Sequence, residues 1–143
     1  MQISVSVVSD YASQSDGKLN VLGIFQLVNV QRQPLPVVLP IFYFVIQIGL
    51  APEEYDLDYP TTIRIEKPDG SVELLATTTV SVSSKGIQVP EAGANTIIAV
   101  PIVGFRFEMS GDYVFRCDIS GAAMATSVVT ALPETTKGVV NES

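Results

Sequence analysis

The stretch Ile97–Gly121, IIAVPIVGFRFEMSGDYVFRCDISG, constrains the fold more strongly than the rest of the chain. Its first half alternates between two faces, and the apolar face holds Val103, Phe105, Phe107 and Met109. Its second half alternates again, with the apolar set Tyr113, Phe115, Cys117 and Ile119. A period of two is typical of half-buried strands. The short turn Ser110-Gly111-Asp112 between the halves predicts two long strands joined by a tight corner.

Gly111 and Tyr113 resemble the corner that opens strand F of immunoglobulin-like sandwiches, where a Tyr hydroxyl hydrogen bonds to the backbone upstream. The match is partial, because Met109 stands where many such domains have Asp. Phe115 stands where antibody domains have Cys, so a disulfide-bearing antibody domain is not expected. The alternative is a plain hairpin with a Tyr at its edge.

Further strands are predicted along the whole chain. They are Gln2–Asp10, Leu19–Val30, Ile41–Ala51, Thr61–Glu66, Ser71–Ala76 and Ala125–Leu132, with Thr77–Val82 as one more strand or a continuation. Asp16-Gly17 and Lys67-Pro68-Asp69-Gly70 are typical hairpin turns. We expect Asp10–Lys18 to be a polar turn region, and Gln31–Pro40 to be a connection that cannot pair regularly. Pro101 is expected to break its strand or to mark a bulge.

The sequence therefore predicts an all-β fold, an immunoglobulin-like two-layer antiparallel β-sandwich of about seven to nine strands. At 143 residues the chain fits one domain. We assign that domain to residues 1–132 and a flexible C-terminal tail to residues 133–143.

Composition limits the possible partners and the compartment. The formal net charge of −7 disfavours nucleic acid and anionic membranes as partners. The apolar run Leu35–Pro52 approaches the length of a membrane span, but Pro36 and Pro40 interrupt it and its composition is that of a buried strand. Cys117 is the single cysteine and is expected to be a buried structural thiol. Because no signal-peptide pattern opens the chain, a cytoplasmic location is expected.

The sequence nominates no catalytic residue, no cofactor site and no metal site. The chain has no His, so Ser-His and Cys-His nucleophile pairs are excluded and an enzyme is not expected. The acidic loop Pro52–Tyr59 offers four carboxylates, on Glu53, Glu54, Asp56 and Asp58. Their spacing does not match an EF-hand, and a solvated loop is the simpler interpretation, although cation binding stays open.

Three stretches together resemble a family of small uncharacterised bacterial proteins, classed as a domain of unknown function. They are Asp10-Tyr11-Ala12 followed by GKLNVLGIF at 17–25, the Pro-rich entry to Ile41-Phe42-Tyr43-Phe44, and the segment from Phe107 through Tyr113-Val114-Phe115. The resemblance implies a compact β-sandwich from a bacterial source with no assigned activity.

Two predicted strands, Leu19–Val30 and Ile41–Ala51, are apolar on both faces. For Leu19–Val30 this pattern favours a central strand, or one whose outer face is covered. A large exposed apolar patch usually marks a partner site, and the candidate interface residues are Phe42, Tyr43, Phe44 and Val45. The prediction is a non-enzymatic interaction or structural protein that binds a protein partner or forms a homo-oligomer.

Four alternatives remain. The loops Gln31–Pro40 and Ser83–Asn95 would cover the apolar surface within the monomer. A small apolar ligand would bind between the sheets or at a loop end. The third and fourth alternatives are that the protein is a phage-derived structural component or an enzyme of an unfamiliar kind.

Overall fold

The computed structural model describes residues 1–16, 18–85 and 93–135. They form nine strands and a 3-10 turn at Pro52–Glu54. The strands are β1 (Gln2–Ser15), β2 (Lys18–Ile24), β3 (Leu27–Val28), β4 (Val37–Leu50), β5 (Tyr59–Glu66), β6 (Val72–Val80), β7 (Ala94–Phe107), β8 (Gly111–Ile119) and β9 (Ala123–Ala131). Three predicted features lie outside the described residues: Gly17 of the first hairpin turn, residues 86–92 of the loop Ser83–Asn95, and residues 136–143 of the tail.

The strands form a four-stranded sheet in the order β2-β1-β4-β7 and a five-stranded sheet in the order β3-β9-β8-β5-β6. Strands A, B and E of an immunoglobulin-type sandwich share one sheet, and strands C, F and G share the other. Here β1, β4 and β7 occupy the first set of places, and β5, β8 and β9 the second. The predicted all-β sandwich is confirmed, with one departure: β3 pairs with β9 in parallel.

The inner faces of the two sheets meet in an aromatic core. Phe42 lies at its centre, and its ring contacts those of Phe25, Phe105, Phe107 and Phe115 at centroid distances of 5.8 to 6.1 Å. The fully buried isoleucines Ile46, Ile48, Ile63, Ile65 and Ile119 extend the core along the sheets. Each buried side chain of this size stabilises the fold by about 1.5–3 kcal/mol relative to exposure.

The alternation of β4 and β7 changes phase where Pro40 and Gly104 oppose each other in the ladder. Leu39 pairs with Phe105 and Ile41 pairs with Val103 on either side of this point. Gly104 has φ +66°, which reverses the side-chain direction on its strand. Val103 is therefore 73% exposed, and its predicted place on the face of Phe105 is wrong.

The prediction that Gln31–Pro40 cannot pair regularly is also wrong in its second half. Val37, Val38 and Leu39 belong to β4 and pair with Phe107, Arg106 and Phe105. Pro101 does not break β7, because this strand is the edge of its sheet and a residue without an N–H is tolerated there.

The first hairpin is longer than predicted, and its second arm is divided. The ladder runs on through the polar segment, pairing Ser13 with Asn20 and Ser15 with Lys18, so β1 does not end at Asp10. The predicted strand Leu19–Val30 becomes two strands on different sheets, joined by a crossing at Phe25 and Gln26. Its interpretation as a central strand is wrong, since β2 is an edge strand.

The remaining elements follow the predicted order. The hairpin of β5 and β6 closes through the turn at Lys67–Gly70, and Thr77–Val80 continues β6. Residues after β9 lie along the β3–β4 connection, because the Asn29 amide donates to the Leu132 carbonyl at 2.9 Å and Thr135 N donates to the Arg32 carbonyl at 3.0 Å. The described residues include no helix long and apolar enough to cross a membrane.

Candidate interaction surface

The candidate interaction surface is the middle of the outward side of the four-stranded sheet, and we call it the charge-free face; beyond its Leu22 and Val103 end the same side of the sheet carries Lys18 on β2 and Arg106 on β7. Its positions are Val5, Val7, Ser9 and Tyr11 on β1, Leu22 and Ile24 on β2, Ile41, Tyr43, Val45 and Gln47 on β4, and Ile97, Ala99, Pro101 and Val103 on β7. Each lies on the side of its strand away from the core cluster. Within this set of described residues none carries a charge.

Strand pairing makes the charge-free face continuous. One row across the sheet joins Ile24, Ser9, Tyr43 and Pro101 through direct partners on β2, β1, β4 and β7. The next row toward one end contains the pairs Tyr11–Leu22 and Ile41–Val103, and the rings of Tyr11 and Tyr43 meet edge to face at 6.2 Å. Two further rows are Val7–Val45–Ala99 and Val5–Gln47–Ile97. The face is therefore one patch and not a scatter of single apolar residues.

Large apolar side chains on this face are open to solvent. Val103 is 73% exposed, Leu22 65% and Ile24 58%. With strands about 4.8 Å apart and outward positions about 6.8 Å apart, these positions span on the order of 400 Å² of the sheet, of which the fully buried Ser9 and Val45 expose nothing. Monomeric proteins rarely expose apolar patches larger than a few hundred Å² unless the patch has a function.

The charge-free face is more exposed at one end than in its middle. The exposed end carries the large residues Tyr11, Leu22, Ile41 and Val103. In the middle, Ser9 and Val45 are fully buried, and Val7 and Ala99 are half-buried. Only part of the face is therefore open to solvent.

The structure divides the four candidate interface residues between two faces. Phe42 and Phe44 are fully buried in the core, so their assignment to an interface is wrong. Tyr43 and Val45 lie on the charge-free face. Sequence reasoning missed Val103, because the phase change at Gly104 was not visible in the alternation.

The outward side of the five-stranded sheet, which we call the charged face, differs in character. Its charged residues are Arg64 and Glu66 on β5 and Asp112, Arg116 and Asp118 on β8. Arg116 Nε lies 3.7 Å from Glu66 Oε2, and Thr130 Oγ1 donates to Asp112 Oδ1 at 2.6 Å. Exposed apolar residues occur here too, including Val128, but they alternate with polar ones. This face has the composition of an ordinary solvated surface.

The corner residues Gly111 and Tyr113 lie outside both outer faces. The Tyr113 hydroxyl donates to the Met109 carbonyl at 2.8 Å and accepts from Met109 N at 3.2 Å, which is the backbone contact expected of such a corner. Gly111 has φ +124°, and a Cβ there would lie 2.9 Å from Pro68 Cβ. Both residues have a structural role in joining β7 to β8.

Carboxylates of the acidic loop are engaged in local contacts. Glu54 Oε1 lies 2.7 Å from the Met1 amino group and accepts from Ala51 N at 2.9 Å, and these contacts lower the pKa of Glu54. Asp56 accepts from the hydroxyl and the backbone N–H of Ser84, which lowers the pKa of Asp56. Among the described residues no group of three or more His, Cys, Asp or Glu side chains could hold a metal ion.

The cysteine and the clefts give no reactive or enclosed site. Burial raises the pKa of Cys117 from its ordinary 9.0 to about 11, so its thiol stays protonated at neutral pH. A cleft of about 530 Å³ lies between β1 and β9, and one of about 360 Å³ lies between β6 and β7. Both follow the sides of the sandwich, because aromatic rings fill the space between the sheets.

Comparison with known proteins identifies a family without a known role. Residues 4–130 match the family described as "Family of unknown function (DUF6941)", which confirms the predicted resemblance to an uncharacterised family. No curated protein matches the chain significantly.

Two solved structures show a weak similarity to the chain. A β-glucosidase from Listeria innocua in complex with glucose is 10% identical over 92% of this chain, with a TM-score of 0.49. β-Glucosidase 3B from Thermotoga neapolitana in complex with α-D-glucose is 14% identical over 68%, with a TM-score of 0.40. The chain spans only 17% and 15% of the length of these enzymes. At such low scores and identities the likeness carries no functional argument.

Proposed function

We propose that the chain, which belongs to the DUF6941 family of unknown function, is a non-enzymatic interaction module. In this proposal it binds a protein through the charge-free face. The observation that carries this proposal is the largely apolar set of outward residues that runs across all four strands of one sheet, interrupted only by the uncharged Ser9 and Gln47. Burying this surface in a complex gains the hydrophobic free energy that the isolated domain leaves unused.

The chemistry of the rest of the chain supports a binding role. Cys117, the single thiol, is buried and held protonated. Glu54 and Asp56 are held by backbone and side-chain donors of their own loop, and their lowered pKa values keep them ionised, which does not suit a general acid. A reduced cysteine fits the cytoplasmic location that we propose.

The filled interior favours protein binding over binding of a small apolar ligand. A ligand between the sheets would have to displace rings that contact one another, such as Phe42 and Phe115 at 5.9 Å. Displacing buried rings of this size costs several kcal/mol. A partner on the charge-free face requires no such rearrangement.

A matched pair of valine variants tests the proposal. Val103→Glu introduces a carboxylate on the charge-free face, and Val128→Glu introduces the same group on the charged face. Tagged wild-type protein and both variants are produced in the native cells together with an untagged copy of the chain, and the bound proteins are quantified.

We expect the wild type and Val128→Glu to retain one stoichiometric binder, and Val103→Glu to lose it, because a buried unpaired charge is costly. The binder is either the untagged copy or another protein. Equal retention by both variants, or loss only from Val128→Glu, would contradict the proposed surface.

A further inference from the structure

We propose that the charged face carries an anion site, in which Arg64 of β5 and Arg116 of β8 bind the phosphate group of a ligand. The site lies on the five-stranded sheet, away from the charge-free face. The inference therefore goes beyond the proposed function and does not depend on it. The register of the strands, the lack of a partner for Arg64 and the neighbouring donors each support it.

The two arginines face each other directly across a pair of strands. In the ladder of β5 and β8, Arg64 is the partner of Arg116, and both side chains are half-buried on the side away from the core. Directly opposed residues have Cβ atoms about 4.5–5.5 Å apart, and like charges at this distance destabilise a sheet. The fold alone therefore gives no reason for two guanidinium groups at these positions.

Arg64 differs from the other arginines in its contacts. Arg32 donates to the Pro133 carbonyl, and Arg106 and Arg116 each have a carboxylate oxygen at 3.7 Å. Arg64 makes no ion pair or hydrogen bond with any residue in the ranges 1–16, 18–85 and 93–135. The chain has 15 acidic and 8 basic residues, so carboxylates are in excess. A half-buried guanidinium group without one is therefore available to an external anion.

Two carboxylates flank the arginine pair without occupying its donors. Glu66 Oε2 lies 3.7 Å from Arg116 Nε, which is too long for a hydrogen bond. Asp118 Oδ1 instead accepts from Gly121 N at 3.0 Å, in the turn between β8 and β9. Each guanidinium group has five N–H donors, and the pair therefore keeps donors free for a ligand.

Threonine hydroxyls beside the arginines add further donors. Thr126 is the partner of Arg116 on β9, and Thr62 lies two residues before Arg64 on the same side of β5. Neither hydroxyl has a hydrogen-bond partner in the part of the chain that the structure describes. Guanidinium groups bind carboxylates and phosphates through paired N–H donors. Two of them match the two negative charges of a phosphate group, whereas a carboxylate carries only one.

The net charge of the chain sets the expected affinity. A formal net charge of −7 repels anions at long range, so only local contacts hold the phosphate. We therefore expect a dissociation constant on the order of 1–10 mM for inorganic phosphate. A phosphate monoester whose remaining atoms also contact the sheet should bind more tightly, since those contacts add to the affinity.

Titration of the isotope-labelled protein with sodium phosphate, followed by NMR of the arginine Nε–H signals, tests the inference. The ionic strength is held constant with NaCl, at about pH 7, where a large part of the phosphate is dianionic. We expect the signals of Arg64 and Arg116 to shift together along one saturating curve. The signals of Arg32 and Arg106 should stay constant. A parallel titration with methyl phosphate distinguishes a monoester from the free ion as the preferred form.

Two variants should move the affinity in opposite directions. Arg64→Gln removes one guanidinium group and should weaken phosphate binding at least about tenfold. Glu66→Gln removes the carboxylate that competes for Arg116 and should strengthen binding about two- to threefold. Arg106→Gln, on the other sheet, is the matched control and should bind like the wild type. Arg64→Lys replaces Arg64→Gln if that variant shows a lower unfolding midpoint.

Four results would overturn the inference. The first is the absence of any saturable shift at Arg64 and Arg116. The second is an equal shift of all four arginines, which would indicate an adventitious ion only. The third is unchanged affinity in Arg64→Gln and Arg64→Lys. The fourth is equally tight binding of sodium acetate at the same ionic strength, which would reject phosphate as the class of ligand.

Discussion

On one side of the sandwich Val128 shares its face with Arg116 and Asp118, and on the other side Val103 shares its face with Ile41 and Tyr43. The two sheets that carry these faces are built alike on their inner sides, where both contribute apolar residues to one core. The difference between the sheets is confined to the outer side. Charges at outward positions are compatible with this fold, since the five-stranded sheet carries several.

The comparison separates what folding needs from what binding needs. A strand of a two-layer sandwich requires apolar residues on its inner side only, and an outward charge costs little and favours solubility. The charge-free face is therefore not a requirement of the fold. We attribute it to contact with another molecule, and the following variants are ordered from the largest expected effect to the smallest.

The largest difference in stability is expected between variants of two neighbouring residues on β4, one of which faces the core while the other faces outward. Phe44→Ala should destabilise the protein by about 3–5 kcal/mol, because it leaves a cavity in the aromatic core. Tyr43→Ala, on the charge-free face, should cost about 1 kcal/mol. Urea unfolding of both variants measures the difference. Equal losses of unfolding free energy would show that the outer face supports the fold as much as the core does. That result would contradict the distinction between the two sides.

The corner provides a variant that lowers stability without touching either outer face. Tyr113→Phe removes the hydroxyl that bonds to Met109 N and to the Met109 carbonyl, and should lower the free energy of unfolding by about 1–2 kcal/mol. Its capture of the binding partner should equal that of the wild type when both are fully folded. Weaker capture would mean that binding follows overall stability and not the surface.

Cys117 tests the inner side of β8, whose outer side is charged. Its pKa is about 11 in the folded protein and near 9.0 when exposed, so the unfolded state loses the proton first. Stability is therefore fully present well below pH 9 and falls between pH 9 and 11, by roughly 1 kcal/mol at pH 10. Urea unfolding of wild type and Cys117→Ala at pH 7 and pH 10 isolates this contribution. An equal pH dependence in both proteins would refute the buried thiol.

The smallest effect is expected on the charged face. Glu66→Gln removes the exposed pair with Arg116 and should change the free energy of unfolding by less than about 0.5 kcal/mol. The change should shrink further in high salt, because salt screens such pairs. A loss above 1 kcal/mol would show that this face, too, contributes specific contacts.

The sequence predicted the fold where side chains alternate without interruption. The apolar set of β8, from Tyr113 to Ile119, is buried as expected, and Tyr113 makes its corner contact. Alternation failed at Gly104, because a glycine with positive φ changes which face the following residues occupy and leaves no mark in the pattern. Val103 was therefore placed in the core although it is the most exposed of the large apolar residues on the charge-free face.

The surface that we propose for interaction was predicted only in part, for a different physical reason. β4 is apolar on both sides, so its own sequence could not show whether Phe42 and Phe44 or Tyr43 and Val45 face the core. The side that faces the core is decided by the facing sheet, where Phe115 of β8 contacts Phe42 across the sandwich. Likewise β2 resembled a central strand by composition, and only the sheet order shows that Leu22 and Ile24 lie at an edge.

The most direct test of the central claim is a dilution series of the isotope-labelled protein followed by NMR. If the charge-free face mediates association, the signals that shift between high and low concentration belong to residues such as Leu22, Ile24, Tyr43, Ile97 and Val103. The signals of Arg64, Arg116 and Val128 should stay constant. Shifts concentrated on the charged face or at the clefts would contradict the account. The account would also be contradicted if the signals of the charge-free face stayed constant on dilution and on addition of every protein captured from native cells.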